Sequence, residues 1–151
     1  MLRVIRVVAV FDRGLGVLVV GVGPLMLGLF RGGRFAFARA TLVPVLGVSI
    51  LASYVADELL CVERFGRGFH VEVPGLGRLY TDSVCVVDRV LLNGENLGIR
   101  SIFHVADMGR YPEYEALIGR DLVYRWRLVV DRTTGRVRSL ASLYQNQLHQ
   151  L

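Results

Sequence analysis

Leu117-Ile118-Gly119-Arg120-Asp121-Leu122-Val123, continued by Tyr124-Arg125-Trp126-Arg127-Leu128-Val129-Val130-Asp131, is the stretch on which the fold turns. An apolar pair runs into Gly-Arg-Asp. Ile118 to Arg125 then reads as a short helix and Trp126 to Val130 as a strand of β-branched and aromatic residues. Beyond it Arg132-Thr133-Thr134-Gly135 turns the chain into Arg136-Val137-Arg138, and Ser139 to Leu151 is a polar tail. Working upstream, Asp107 to Glu115 is a polar loop, and Leu97 to Ala106 and Val84 to Leu92 are strands flanking Asn93-Gly94, a dipeptide of tight hairpins. Phe69, Val71 and Val73 alternate with His70 and Glu72; Pro74-Gly75-Leu76-Gly77 interrupts the period, and Arg78-Leu79-Tyr80 resumes it. That pattern is a hairpin with a glycine-rich tip.

The first half continues the theme. Ser49 to Leu60 has helical spacing, with Ala52, Val55, Ala56, Leu59 and Leu60 apolar. Thr41 to Val45 is an apolar strand leading to Gly47. Pro24 to Phe30 and Arg34 to Ala40 flank a turn at Arg31-Gly32-Gly33, and Val4 to Phe11 and Leu15 to Val22 flank another at Asp12-Arg13-Gly14. The expected architecture is mostly β, with one or two short helices.

This order of elements resembles the retropepsin family, the single-lobe aspartic proteases of retroviral type. The Leu117 to Asp121 segment is similar to their closing Gly-Arg-Asp/Asn element, and the resemblance runs over about residues 24 to 131. It implies a closed β-barrel over residues 24–138, preceded by an extra N-terminal hairpin (1–23) and followed by the tail (139–151). It also implies a flap at Pro74, Gly75, Leu76 and Gly77, and a homodimer whose base is held by Gly119, Arg120 and Asp121, with Arg120 making ion pairs. In the family an apolar strand enters Asp-Thr/Ser-Gly-Ala/Ser. Here the matching stretch is Leu42-Val43-Pro44-Val45-Leu46-Gly47-Val48-Ser49, with Val45 in place of the aspartate and Leu46 in place of the bracing hydroxyl.

That departure decides the functional expectation. Each subunit of such a dimer lends one aspartate, and the pair shares a proton because two carboxylates at close range cannot both ionise. With Val45, Leu46, Gly47, Val48 and Ser49 as the loop, both the base and the acid are missing. The resemblance then implies a non-catalytic homodimer, a pseudoenzyme binding an extended peptide or protein segment in the old cleft. Two alternatives stand beside it: an active aspartic endopeptidase whose carboxylate lies elsewhere, and a small membrane-associated protein. Asp12 of Asp12-Arg13-Gly14 is a weak alternative acid, because arginine is wrong for the second position and the residue lies far upstream of Gly119. Asp57 belongs to the polar face of the helix. Ser49, His70 and Asp82 supply the residue types of a nucleophilic triad, but no nucleophile elbow surrounds Ser49. Gly75 and Gly77 precede no helix start or Lys-Ser/Thr, so they are not a phosphate loop.

Composition bounds the rest. At 151 residues, 53% hydrophobic and 21% charged, the chain is one domain with a sizeable core. All 18 basic residues are arginine, which suits bidentate ion pairs. Residues 1–45 hold six arginines against Asp12 alone, which accounts for the whole net charge of +5. We read this as a solvated positive rim, without the aromatic and basic clustering of a nucleic-acid surface, so no nucleic-acid partner is expected. Cys61 and Cys85 lack zinc-site spacing; two buried thiols are preferred to a disulfide. His70, His104 and His149 form no ligand pattern, so neither metal nor cofactor is expected. Gly14 to Phe30 and Ala40 to Ala56 are uncharged runs of 17 residues. Pro24, Pro44 and their glycines break any spanning helix, and Arg31 follows the first run without a cleavage site. Both are read as buried strands, membrane association is disfavoured, and a cytoplasmic location is expected.

Overall fold

The structure, a computed structural model, describes residues 10–12, 16–18, 24–109, 112–131 and 136–140. Its strands are β1 (Val10–Asp12), β2 (Gly16–Leu18), β3 (Leu25–Arg31), β4 (Arg34–Leu42), β5 (Ile50–Ala52), β6 (Val62–Val73), β7 (Gly77–Val87), β8 (Arg89–Leu92), β9 (Glu95–Asn96), β10 (Ser101–Ala106), β11 (Ala116–Ile118), β12 (Leu128–Asp131) and β13 (Arg136–Ser139). Two short helices, α1 (Ser53–Leu59) and α2 (Arg120–Arg125), complete it. Mostly β is therefore right. Among the described residues nine strands form one ladder in the order β6-β7-β10-β5-β11-β4-β3-β8-β9, without a pairing that closes it into the expected barrel, beside the ribbons β1-β2 and β12-β13. The expected strands over 4–11 and 15–22 lie largely outside the described residues, as does the tail beyond 140.

Local signals set the hairpins. Gly32 (φ 56°) carries the two-residue turn from β3 to β4, and Asn93 (φ 49°) with Gly94 (φ 87°) carries that from β8 to β9; both turns need positive φ. Asp88 divides the expected 84–92 strand: β7 pairs with β10, whereas β8 crosses to pair with β3. The helical spacing of Ser49 to Leu60 also misleads at its start. Ile50, Leu51 and Ala52 form β5, parallel to β10 and antiparallel to β11, and are buried on both faces. A centrally buried strand has no polar side to reveal its period. At the chain's other end, β11 takes Ile118, so the helix begins only at Arg120.

The main core packs Leu27, Leu29, Val55, Phe103 and Leu122 around Trp126. Trp126 is fully buried, and its indole N–H donates to Ser101 Oγ at 2.7 Å, which satisfies its one polar atom. Cys61 and Cys85 are not separate thiols: they are bonded, with Cα atoms 4.8 Å apart, and tie the end of α1 to β7. A second, smaller cluster joins Leu46, Ile50, Val73, Ala106 and Leu117 beneath the β6–β7 hairpin. Among the described residues no helix is long and apolar enough to cross a membrane. The run 40–56 is consumed by the end of β4, a loop, β5 and the start of α1.

Candidate functional site

The site is the loop 43–49, strung between β4 and β5 where the chain passes α2. Its path is fixed by backbone bonds: Val43 N donates to Ile118 O (2.8 Å), Leu46 N to Val43 O (2.9 Å) and Arg120 N to Leu46 O (2.9 Å). Gly119 explains the glycine of the Gly-Arg-Asp segment. A Cβ there would stand 2.6 Å from Val48 O and 2.8 Å from Leu46 O, so only glycine lets α2 approach the loop this closely.

Asp121 closes the crossing. Ser49 Oγ donates to Asp121 Oδ1 at 2.6 Å, Ser49 N donates to Oδ2 at 3.1 Å, and Leu122 N donates to Oδ1 at 2.8 Å. Ser49 Oγ in turn accepts from Gly119 N at 2.8 Å. Both carboxylate oxygens are thus engaged with neighbours rather than aimed at a substrate. This partnership escaped the sequence reading, because Ser49 and Asp121 are 72 residues apart and neither motif predicts the other. Arg120 is exposed and makes no ion pair among the described residues of this one chain.

Val45 and Leu46, the neighbours on which the functional expectation turns, part company. Leu46 is buried in the cluster under the flap, whereas Val45 is 64% exposed. Val73-Pro74-Gly75-Leu76-Gly77, expected as a flap, forms the tip of the β6–β7 hairpin, closed by Val73 pairing with Gly77 and by Leu76 N donating to Val73 O. Gly75 (φ 82°) and Gly77 (φ 89°) supply its positive φ. Beneath the tip lies a cavity of about 230 Å³ whose lining includes Val43, Val73, Leu76, Met108, Tyr114 and Leu117, together with Thr41 and Glu113. Glu113 is the carboxylate that the sequence reading missed, hidden in what reads as a polar loop. The flap hairpin is also longer than expected: β6 begins at Val62 and loses register between Arg64 and Phe69.

The remaining candidates are dispersed. Asp12 ends β1 and pairs with Gly16 of β2, in a ribbon apart from the nine-stranded ladder. Ser49 is fully buried and committed to Asp121, His70 stacks on Tyr80 at 5.3 Å, and Asp82 pairs with Arg64 at 3.0 Å, so no triad assembles. Among the described residues no group of three His, Cys, Asp or Glu could hold a metal. His104, behind the loop, donates its backbone N–H to Ser49 O (2.8 Å), and its ring meets Phe65 and Phe69 edge-on at 5.9 and 5.6 Å. Burial pushes its pKa below the ordinary 6.5, a shift that nearby Asp121 opposes, and its Nδ1 is buried without a partner.

No protein-family model matches this chain, and no curated protein matches its sequence. Among solved structures, the retroviral protease-like domain of Ddi1 from Leishmania major is similar, with a TM-score of 0.53 and 20% sequence identity over 78% of this chain and 89% of that one. The chain therefore has a retropepsin-like fold. An identity of 20% carries the fold and not the chemistry.

Proposed function

We propose that this protein is a non-catalytic homodimer of retropepsin-like fold that holds an extended peptide or protein segment beneath its flap. The observation that carries the reading is the loop 43–49 itself. It has no carboxylate, its Val45 and Leu46 are hydrocarbon, and the aspartate that reaches it, Asp121, accepts three hydrogen bonds from Ser49 and Leu122. The aspartic-protease mechanism activates water with an ionised and a protonated carboxyl side by side. The apolar cavity under the flap accepts a buried hydrocarbon side chain, and strand addition along the cleft would supply the backbone bonds. Exposed Val45 is what a two-fold partner would cover. Burying it is worth about 2 kcal/mol per subunit at most, so the dimer needs further contacts.

A second reading, an active endopeptidase, is favoured by one observation: Glu113 lines the same cavity. Cleavage of an unstructured protein at about pH 3–6, the range in which carboxyl groups titrate, distinguishes the two. The assay runs with and without a transition-state aspartic-protease inhibitor, on wild type, Glu113→Gln and the Val45→Asp, Leu46→Thr double variant. We expect no cleavage by wild type and inhibitor-sensitive cleavage by the double variant. Wild-type cleavage abolished by Glu113→Gln would overturn the non-catalytic reading.

A further inference from the structure

The ladder assembles on its outer face what the sequence scatters. Register sets Phe30 opposite both Phe35 and Arg89, Gly28 opposite both Phe37 and Leu91, and Met26 opposite Arg39. Alternate residues Leu27, Leu29, Ala36 and Ala38 point into the core, so this row points out; Phe35 is 42% and Phe37 65% exposed. The rings form a chain. Phe30 and Phe35 lie 4.6 Å apart, tilted, and Phe35 and Phe37 lie 4.6 Å apart, edge-on. Gly28 makes room for it: a Cβ there would stand 3.1 Å from the Phe35 ring and 3.3 Å from Leu91.

Arginines border the rings. The Arg89 guanidinium lies 4.0 Å from the Phe30 ring centre. Neither Arg39 nor Arg89 enters an ion pair among the described residues. The flanking carboxylates are turned to the backbone: Asp88 accepts from Gly32 N, and Glu115 from Arg39 N. Solvent-facing phenyl rings are costly without a partner, and these alternate with guanidinium groups that lack counter-charges. A base offers a π face to each ring and a phosphate offers charge to each arginine, which is how single-stranded nucleic acid is held. The rings lie on a sheet face rather than on an amphipathic helix, which disfavours a membrane surface.

We propose that the outer face of β3, β4 and β8 binds single-stranded nucleic acid, with bases stacked on Phe35 and Phe37 and phosphates on Arg39 and Arg89. The proposal reverses the sequence-based expectation of no nucleic-acid partner and is independent of the flap cleft.

Fluorescence anisotropy of the full chain with a labelled oligothymidylate of about twenty nucleotides, long enough for one binding face, tests it. The same assay takes the matching duplex and phosphatidylserine vesicles. At about 50 mM salt the single strand should bind more tightly than the duplex, with affinity falling as salt rises. Phe37→Ala should weaken binding about tenfold. Arg89→Gln should weaken it severalfold and flatten the salt slope by ~0.7, one phosphate's share. Phe65→Ala, exposed elsewhere, should change nothing. Because Phe37 is exposed, its variant should melt like wild type; if it does not, Arg39→Gln replaces it, with severalfold weakening expected. No binding, binding indifferent to the Phe37 and arginine variants, a duplex preference, or binding to vesicles alone would each overturn the proposal.

Discussion

The two ends of the loop 43–49 are opposites. At Ser49 the hydroxyl and the backbone N–H are buried and tied to Asp121 of a helix 72 residues away. At Val45, four residues earlier, an apolar side chain stands 64% exposed. The first end holds the crossing of loop and helix together; the second leaves hydrocarbon facing solvent. The difference teaches that the scaffold and the chemistry are separable. The crossing is stabilised by satisfied polar groups and a close backbone approach, none of which needs a catalytic carboxylate.

Three measurements would break or sharpen that contrast. The largest effect is expected from Asp121→Ala, which strands Ser49 Oγ, Ser49 N and Leu122 N without their acceptor. At 1–3 kcal/mol for each stranded group, partly relieved by water, stability should fall by about 3–4 kcal/mol. Melting should then come roughly 10 °C earlier by calorimetry. Val45→Ala should stay within ~0.5 kcal/mol of wild type, and equal losses at the two ends would break the comparison.

Next comes Gly119→Ala. Its Cβ would meet the backbone oxygens of Val48 and Leu46, atoms that cannot rotate away, at a cost of about 1–3 kcal/mol, read as a lower denaturant midpoint. Gly47→Ala is the matched control in the same loop, since a Cβ there meets nothing within 4 Å. Similar midpoints for the two variants would show that the crossing is looser than its geometry.

The smallest effect is the pH dependence of His104. Its folded pKa lies below its unfolded value near 6.5, so the unfolded chain takes the proton first as pH falls. The stability due to neutral His104 is complete above about pH 6.5 and declines toward the lower folded pKa. A melting temperature measured from about pH 7 to 5 should drop by a few degrees more in wild type than in His104→Phe. Parallel profiles would remove His104 from the account.

Much of the fold was written locally. Asn93-Gly94 and Gly32 set their turns through positive φ, and Pro74 to Gly77 marked the tip of the β6–β7 hairpin. The Gly-Arg-Asp segment placed α2 to within two residues. What failed did so for non-local reasons. Ile50 to Ala52 looked helical because its neighbours in the ladder, β10 and β11, come from 101–106 and 116–118. Cys61 and Cys85 gave no hint of pairing, since their 24-residue separation is bridged only when β6 lies along β7.

The sequence by itself determined that this is a β-rich chain with a Gly-Arg-Asp crossing and no carboxylate at Val45, because turn chemistry, alternation and residue identity are local properties. Tertiary structure alone decided that Asp121 braces Ser49, that Leu46 is buried in a cluster with Ile50, Val73 and Leu117, and that Arg89 lies over Phe30. Those are contacts between residues distant in sequence, fixed by strand register and backbone approach, to which no linear pattern corresponds.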